Sequence, residues 1–489
     1  MNNKKKSYLC KVTTSGEKTI VFCPVIDIMM HKKVKNIFCA VVLAALAVVS
    51  CDKLDDDFRI KVNNPSQNAG KRMPGKSDGT VRAHLMVSFG FNSLSSYLVE
   101  DIKDLEDGFI PGNGAQDNLL FVFSHSAQGS YSQPTSPVLT RLYKGANGQI
   151  FKQKLLELPS GEIPNSKENL ALIFKYIQDR YHPDELGVLM SSHGTGWTPP
   201  GYCSKPASFE KESEWLSPTL FSVPRWGESF VPERDFEVFP LTKSFGETKI
   251  ASNPGTSYET DIKELAESIP YKLDYLILDA CFMGGVEVAY ELRDKCRFLC
   301  FSQTEILADG MNYKTMMSHL LEKKEADVIS LGNEFYDYYN KQSGYNRSAT
   351  ISVIDCSKMD PLVEVCEDFF SRHDIDSKNC ASDELQPYFR SQYAKNHGWF
   401  YDLRSIFVAA GADEGELKLL DAALAQSVVY NEATEYFMEG YGGFRVKSHC
   451  GFSMYLPYPD RTYLNNYYKT LAWNEATGLI KQVFHFIKY

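Results

Sequence analysis

Tyr275-Leu-Ile-Leu-Asp-Ala-Cys-Phe-Met-Gly-Gly285 decides the reading of this chain. Tyr275 to Leu278 is an apolar run bounded by polar residues, the pattern of a strand covered on both faces. Asp279 and Cys281 follow where that strand should end, and Gly284 and Gly285 open a helix over 284 to 295. An acid and a thiol then stand at the carboxyl end of a core strand, which is where open α/β sheets build their sites. Cys281 is either a nucleophile or a small buried hydrophobe, and the surrounding sequence has to decide between them.

A second strand has the same design. Leu186 to Ser191 is apolar and is followed at once by His193-Gly-Thr-Gly-Trp197. In a parallel sheet all strands point one way, so neighbouring strands would bring His193 and Cys281 to one edge. A cysteine nucleophile needs thiolate character and a proton partner, and histidine supplies the partner near neutral pH. The helix after Cys281 would add its positive N-terminal end. Gly194, without a side chain, would let its N–H reach a substrate carbonyl, forming an oxyanion hole with the N–H of Cys281. Each residue alone has a plainer reading: a cap for His193 or Asp279, an inert core thiol for Cys281. Their matching positions carry the argument.

Strands are expected at Ala83–Phe89, Leu119–Phe123, Val138–Tyr143, 274–279, Phe298–Phe301 and Thr350–Ile354. Helices are expected at 93–107 and 167–181, the second capped by Ser166 with Leu170, Ile173, Phe174 and Ile177 on one face. Alternating strands and helices imply an α/β fold, a mostly parallel sheet flanked by helices. This domain would run from 81 to 375, with a long Pro-rich insertion at 198–258. Residues 376–489 read as a mainly helical accessory subdomain with a strand at Phe452–Leu456.

The N-terminus reads as a signal region, residues 1–51. His31, Lys32, Lys33 and Lys35 precede an apolar run from Ile37 to Val49, too short to span a membrane, and Val-Val-Ser-Cys51 follows. That ending resembles a bacterial lipobox, with Cys51 lipidated and Met29 or Met30 as the natural start. Residues 52–80, polar and rich in Asn, Gly and Ser, read as a tether. A cell-envelope lipoprotein, in the outer membrane or on the cell surface, is the expected location.

The chain has 489 residues and a formal net charge of −10, which gives no reason to expect nucleic acid as a partner. Its 12 cysteines show no CxxC pair and no zinc spacing. A chain this long can build a core without disulfides. No metal site and no required cofactor can be read from it, and a monomer is expected.

His193-Gly-Thr-Gly-Trp197 and Asp279-Ala-Cys-Phe-Met-Gly284, followed by Val-Glu-Val-Ala-Tyr-Glu-Leu292, resemble the clostripain family of cysteine peptidases. This family shares a clan with caspases, legumain and gingipains. Ser348 to Asp355 and Gly451-Phe-Ser-Met-Tyr-Leu-Pro457 are similar to its later segments. The resemblance implies a caspase-like sheet, a Cys281/His193 dyad without a third member, and peptide substrates cleaved after Arg or Lys. Asp279 matches the acid that helps hold the basic P1 side chain. Asp309 is the candidate second acid, with Glu305 its competitor. Calcium dependence, known in some members, is possible by resemblance alone. Zymogens of this family are commonly cut between the two motifs, and here that interval holds Lys205, Lys211, Arg225, Arg234, Lys243 and Lys249. From His193 to Cys281 it spans 281 − 193 = 88 positions. Two other function classes compete. A silent surface lipoprotein that binds peptides or proteins would be free to lose His193, Gly194 and Cys281. An α/β esterase would need a G-x-S-x-G elbow, which is missing.

Overall fold

Five strands that run the same way form the centre of the molecule: β1 (Arg82–Gly90), β2 (Leu119–Gln128), β5 (Glu185–Ser191), β6 (Leu273–Asp279) and β7 (Cys296–Phe301). The computed structural model describes residues 80–128, 133–203, 206–215, 230–232, 242–243, 246–250, 256–391 and 398–481. Antiparallel strands close both sides of the sheet. β3 (Val138–Lys144) and β4 (Ile150–Glu157) extend it beyond β2, while β8 (Thr350–Asp355) and β9 (Val428–Ala433) extend it beyond β7. The order is β9-β8-β7-β6-β5-β1-β2-β3-β4.

The pattern of apolar residues explains this layout. β1 is buried along its whole length, as a strand covered on both faces must be. One core cluster lies on one face, with Leu85, Val188, Leu276 and Leu299. The other face holds Met86, Leu189, Ile277 and Cys300. These two sets are adjacent residues of the same strands, so the alternation of side chains separates them. α1 (Ser95–Asp107) and α2 (Lys167–Tyr181) fall close to the expected spans, and Ser166 caps α2 by accepting from the Asn169 N–H.

Two expectations change. The helix after Cys281, α3, spans Val286–Leu292 rather than 284–295. The strand expected at Phe452–Leu456 shrinks to Ser453–Met454, paired with Tyr401–Asp402. Beyond residue 376 the chain forms helices at Leu403–Ala409, Glu414–Ser427, Thr462–Tyr468 and Ala472–Thr477, and it also supplies β9 to the central sheet. Hydrophobic alternation does not reveal β9, because Val428–Ala433 carries Asn431 and Glu432 and is half-buried. Among the described residues no helix is long and apolar enough to cross a membrane.

Candidate active site

The register of β5 against β6 sets the site. Ser191 pairs with Asp279, the last residue of each strand. His193 and Cys281 each lie two residues beyond that pair, in the loops that leave the neighbouring strand ends. Both side chains are buried.

The two loops touch through their backbones. Gly196, in the His193 loop, has φ +61°, and a Cβ there would come within 2.6 Å of the carbonyl oxygen of Phe282. Only glycine fits this left-handed turn and close approach together. Phe282 itself has φ +59°, a costly conformation for a residue with a side chain, and its ring stacks on Phe400 at 4.9 Å. Trp197 anchors the far end of the loop, its ring against Tyr455 and Tyr468, each at 4.9 Å between centroids.

The Cys281 loop is strapped to the segment after β7. The Phe282 N–H donates to Thr304 O at 2.9 Å, and the Gly284 N–H donates to Ser302 O at 2.7 Å. The thiol receives the N–H of Ile306, with nitrogen 3.3 Å from sulfur. That contact replaces the expected helix N-terminus. The helix begins two residues too late and the amides before it serve the strap, so the observed backbone donor to Cys281 comes from residue 306. A hydrogen bond to the charged form favours thiolate.

His193 is held by groups absent from the sequence reading. Its Nε2 lies 2.9 Å from the Ser93 hydroxyl and 3.8 Å from a carboxylate oxygen of Glu247. Ser93 has no motif to mark it, and Glu247 sits in the insertion that looked irregular.

Asp279 is fully buried and accepts from the hydroxyls of Tyr313 and, at 3.3 Å, Ser191. Asp309 is exposed, in the turn after the short strand Ile306–Leu307. The two acids share one electrostatic neighbourhood. The hydroxyl of Tyr339 is pushed well above its usual range by burial and then by the negative charges of Asp279 and Asp309. Asp101, buried on α1, contributes to the same field at Tyr339 and Tyr313. Glu305 is engaged elsewhere, in a two-pronged ion pair with Arg390 at 2.7 and 2.8 Å. Gly194 lies buried directly after His193.

Parts of the insertion dock on the core. The helix Pro206–Trp215 carries Glu210, whose carboxylate accepts from the Tyr202 hydroxyl at 2.7 Å and the Tyr463 N–H at 2.9 Å. Thr242–Lys243 pairs antiparallel with Ile306–Leu307, placing Lys243 opposite Ile306. Lys211 lies on the helix and Lys249 ends the strand Glu247–Lys249. Lys205, Arg225, Arg234, Cys51 and the tether up to residue 79 lie outside the described residues.

A cavity of about 660 Å³ opens at the opposite edge of the sheet, lined by Arg82, Asp274, Arg297, Lys323 and Asp327. Its charges pair locally, Lys323 with Asp327 at 2.7 Å and Arg297 with Asp274 at 3.9 Å. It lies away from His193 and Cys281 and has no part in the site. Among the described residues no group of three or more His, Cys, Asp or Glu is arranged to hold a metal ion.

The clostripain family pattern matches residues 255–482. Three solved structures share the fold. An inactive zymogen C11 protease from Parabacteroides distasonis aligns with TM-score 0.62 and 24% identity, over 82% of this chain and 99% of its own. A secreted C11 cysteine protease from Bacteroides thetaiotaomicron, "iotapain", aligns with TM-score 0.60 and 23% identity, over 82% and 100%. A secreted C11 protease from the same organism, in complex with an irreversible peptide inhibitor, aligns with TM-score 0.61 and 20% identity, over 82% and 99%. No match was found among curated proteins. The family match runs through β6, Cys281 and the strap beneath it, so this part of the chain carries the clostripain pattern, and the three solved structures share its fold.

Proposed function

We propose that this cysteine peptidase uses Cys281 as nucleophile and His193 as its proton partner, and that it cleaves after Arg or Lys. The observation that carries this reading is the Ser191–Asp279 register, which brings the two residues to one sheet edge. Cys281 transfers its proton to His193, and the resulting thiolate, steadied by the Ile306 N–H, attacks the scissile carbonyl carbon. The N–H groups of Gly194 and Cys281 receive the oxyanion. The imidazolium then protonates the leaving amine, and an acyl-enzyme forms as the C–N bond breaks. Water, giving a proton to His193, attacks the thioester and releases the acid and the thiol. With Nε2 turned to Ser93 and Glu247, Nδ1 is the nitrogen that would exchange the proton with sulfur.

The basic P1 preference draws its support from the negative field that Asp279 and Asp309 share. A guanidinium or ammonium brought into a partly desolvated acidic pocket makes a strong charge-assisted contact. The chain is also proposed to be a lipoprotein of the bacterial cell envelope, anchored through Cys51.

Cys281→Ala and His193→Ala tested on an Arg- or Lys-terminated fluorogenic peptide decide the chemistry. Both should abolish turnover while the melting temperature stays near wild type. Full activity in Cys281→Ala would end the assignment.

A further inference from the structure

We propose that Glu247, delivered by the insertion, is the positioning carboxylate of His193. The proposal rests on the His193/Cys281 reading and extends it to a third group, where the family resemblance implies a dyad alone.

The acid is held by the end of β1. Glu247 opens the strand Glu247–Lys249, which pairs with Thr256–Glu259. That ladder is fastened to the end of β1. The Lys249 N–H donates to Phe91 O at 2.9 Å, and Asn92 Nδ2 donates to both Glu247 O and Phe89 O at 2.9 Å. The Asn92 side-chain oxygen also accepts from the Leu94 N–H at 2.9 Å, which shapes the turn carrying Ser93. Ser93 and Glu247 are therefore fixed by one set of bonds, most of them made by the Asn92 side chain, and both face the Nε2 of His193, at 2.9 and 3.8 Å.

The electrostatics follow from burial. The side chains of His193 and Glu247 are each only 4% exposed. Glu259 stands directly opposite Glu247 in the ladder, and its carboxylate takes the Gly201 N–H at 2.9 Å. Two buried acids side by side repel unless a cation lies next to them. An imidazolium at His193, with Nε2 3.8 Å from Glu247, would serve as that cation. The Ser93 hydroxyl faces the same ring nitrogen, and Cys281 and Asp279 belong to the neighbouring strand end. The Ser93 hydroxyl at 2.9 Å holds Nε2 and leaves Nδ1 for the thiol, while the Glu247 charge at 3.8 Å keeps the ring turned this way and favours the protonated state that the thiolate–imidazolium pair needs.

The test compares wild type with Glu247→Gln, Glu247→Asp and Ser93→Ala on one basic fluorogenic peptide across pH. An adjacent carboxylate raises the histidine pKa, so removing its charge lowers it. In Glu247→Gln the alkaline limb of kcat/KM should move down by about one pH unit, and kcat should fall about tenfold with KM within twofold. Glu247→Asp should recover most of the limb, and Ser93→Ala should lower kcat by a smaller factor. A folded Glu247→Gln with the wild-type alkaline limb and kcat would overturn the proposal. If Glu247→Gln melts well below wild type, a folded Glu247→Asp whose alkaline limb has dropped by the full unit despite keeping the charge overturns it equally. Activity surviving in His193→Ala would instead sink the dyad itself.

Discussion

The guanidinium of Arg390 grips the carboxylate of Glu305 with two hydrogen bonds, 2.7 and 2.8 Å, and both side chains are withdrawn from solvent. Glu305 precedes Ile306, whose N–H reaches the sulfur of Cys281. The pair thus braces the strap beneath the thiol. Removing one partner strands a buried charge, so Arg390→Ala should cost about 3–5 kcal/mol in urea unfolding. A double variant, Arg390→Met with Glu305→Leu, should recover most of that loss. A single variant as stable as wild type would remove the pair from any structural role.

Asp279 and Asp309 should divide the work of holding P1. Asp279→Asn takes away the buried charge and should reduce selectivity for Arg or Lys by about 2–3 kcal/mol in kcat/KM, while Asp309→Asn, at the exposed rim, should cost less. Positional scanning checks both. A library preference for Asp or for large apolar P1 residues would contradict the assignment.

Self-cleavage is expected in the interval between the motifs, and of the three basic residues described there, Lys211, Lys243 and Lys249, the strand register points to Lys243. Lys243 is paired through its backbone with Ile306, the residue that contacts the thiol. Purified wild type should give two fragments, the second beginning at Ser244, and Cys281→Ala should remain one band. A cut elsewhere would move the site. An intact chain with full activity would exclude activation by cleavage.

Glu287 links stability to pH. It is buried behind the Cys281 loop, where it accepts from the Tyr455 N–H and the Tyr468 hydroxyl, yet burial raises its pKa from 4.5 to about 7. Because the folded value lies above the unfolded one, the contribution is fully present below about pH 4.5 and is lost as pH rises to about 7. The loss is on the order of 3 kcal/mol. Glu287→Gln should lack this component, so the difference in melting temperature between the two proteins should narrow or reverse from pH 5 to pH 8. A constant difference would refute it.

Cys51→Ala should release the protein from the membrane fraction. Incorporation of a labelled fatty acid into wild type checks the same point, and unchanged membrane association of the variant would argue against lipidation.

Sequence alone determined the parallel centre of the sheet, the span of α2 and the two strand ends carrying His193 and Cys281. These features are local: an apolar run buried on both faces, a helical period with a serine cap, and polar residues at strand ends all write themselves into neighbouring positions. The tertiary structure decided what meets across long separations. The strand at 428–433, the Ile306 N–H on the thiol, the Arg390–Glu305 pair and the place of Glu247 beside His193 each join segments far apart in the chain. Glu305 shows the difference most clearly. By position it could have been a pocket acid, and only the approach of Arg390, 85 residues later, makes it a brace. Local pattern cannot carry such information, because an isolated charged residue reads the same whether its partner is solvent, substrate or a buried guanidinium.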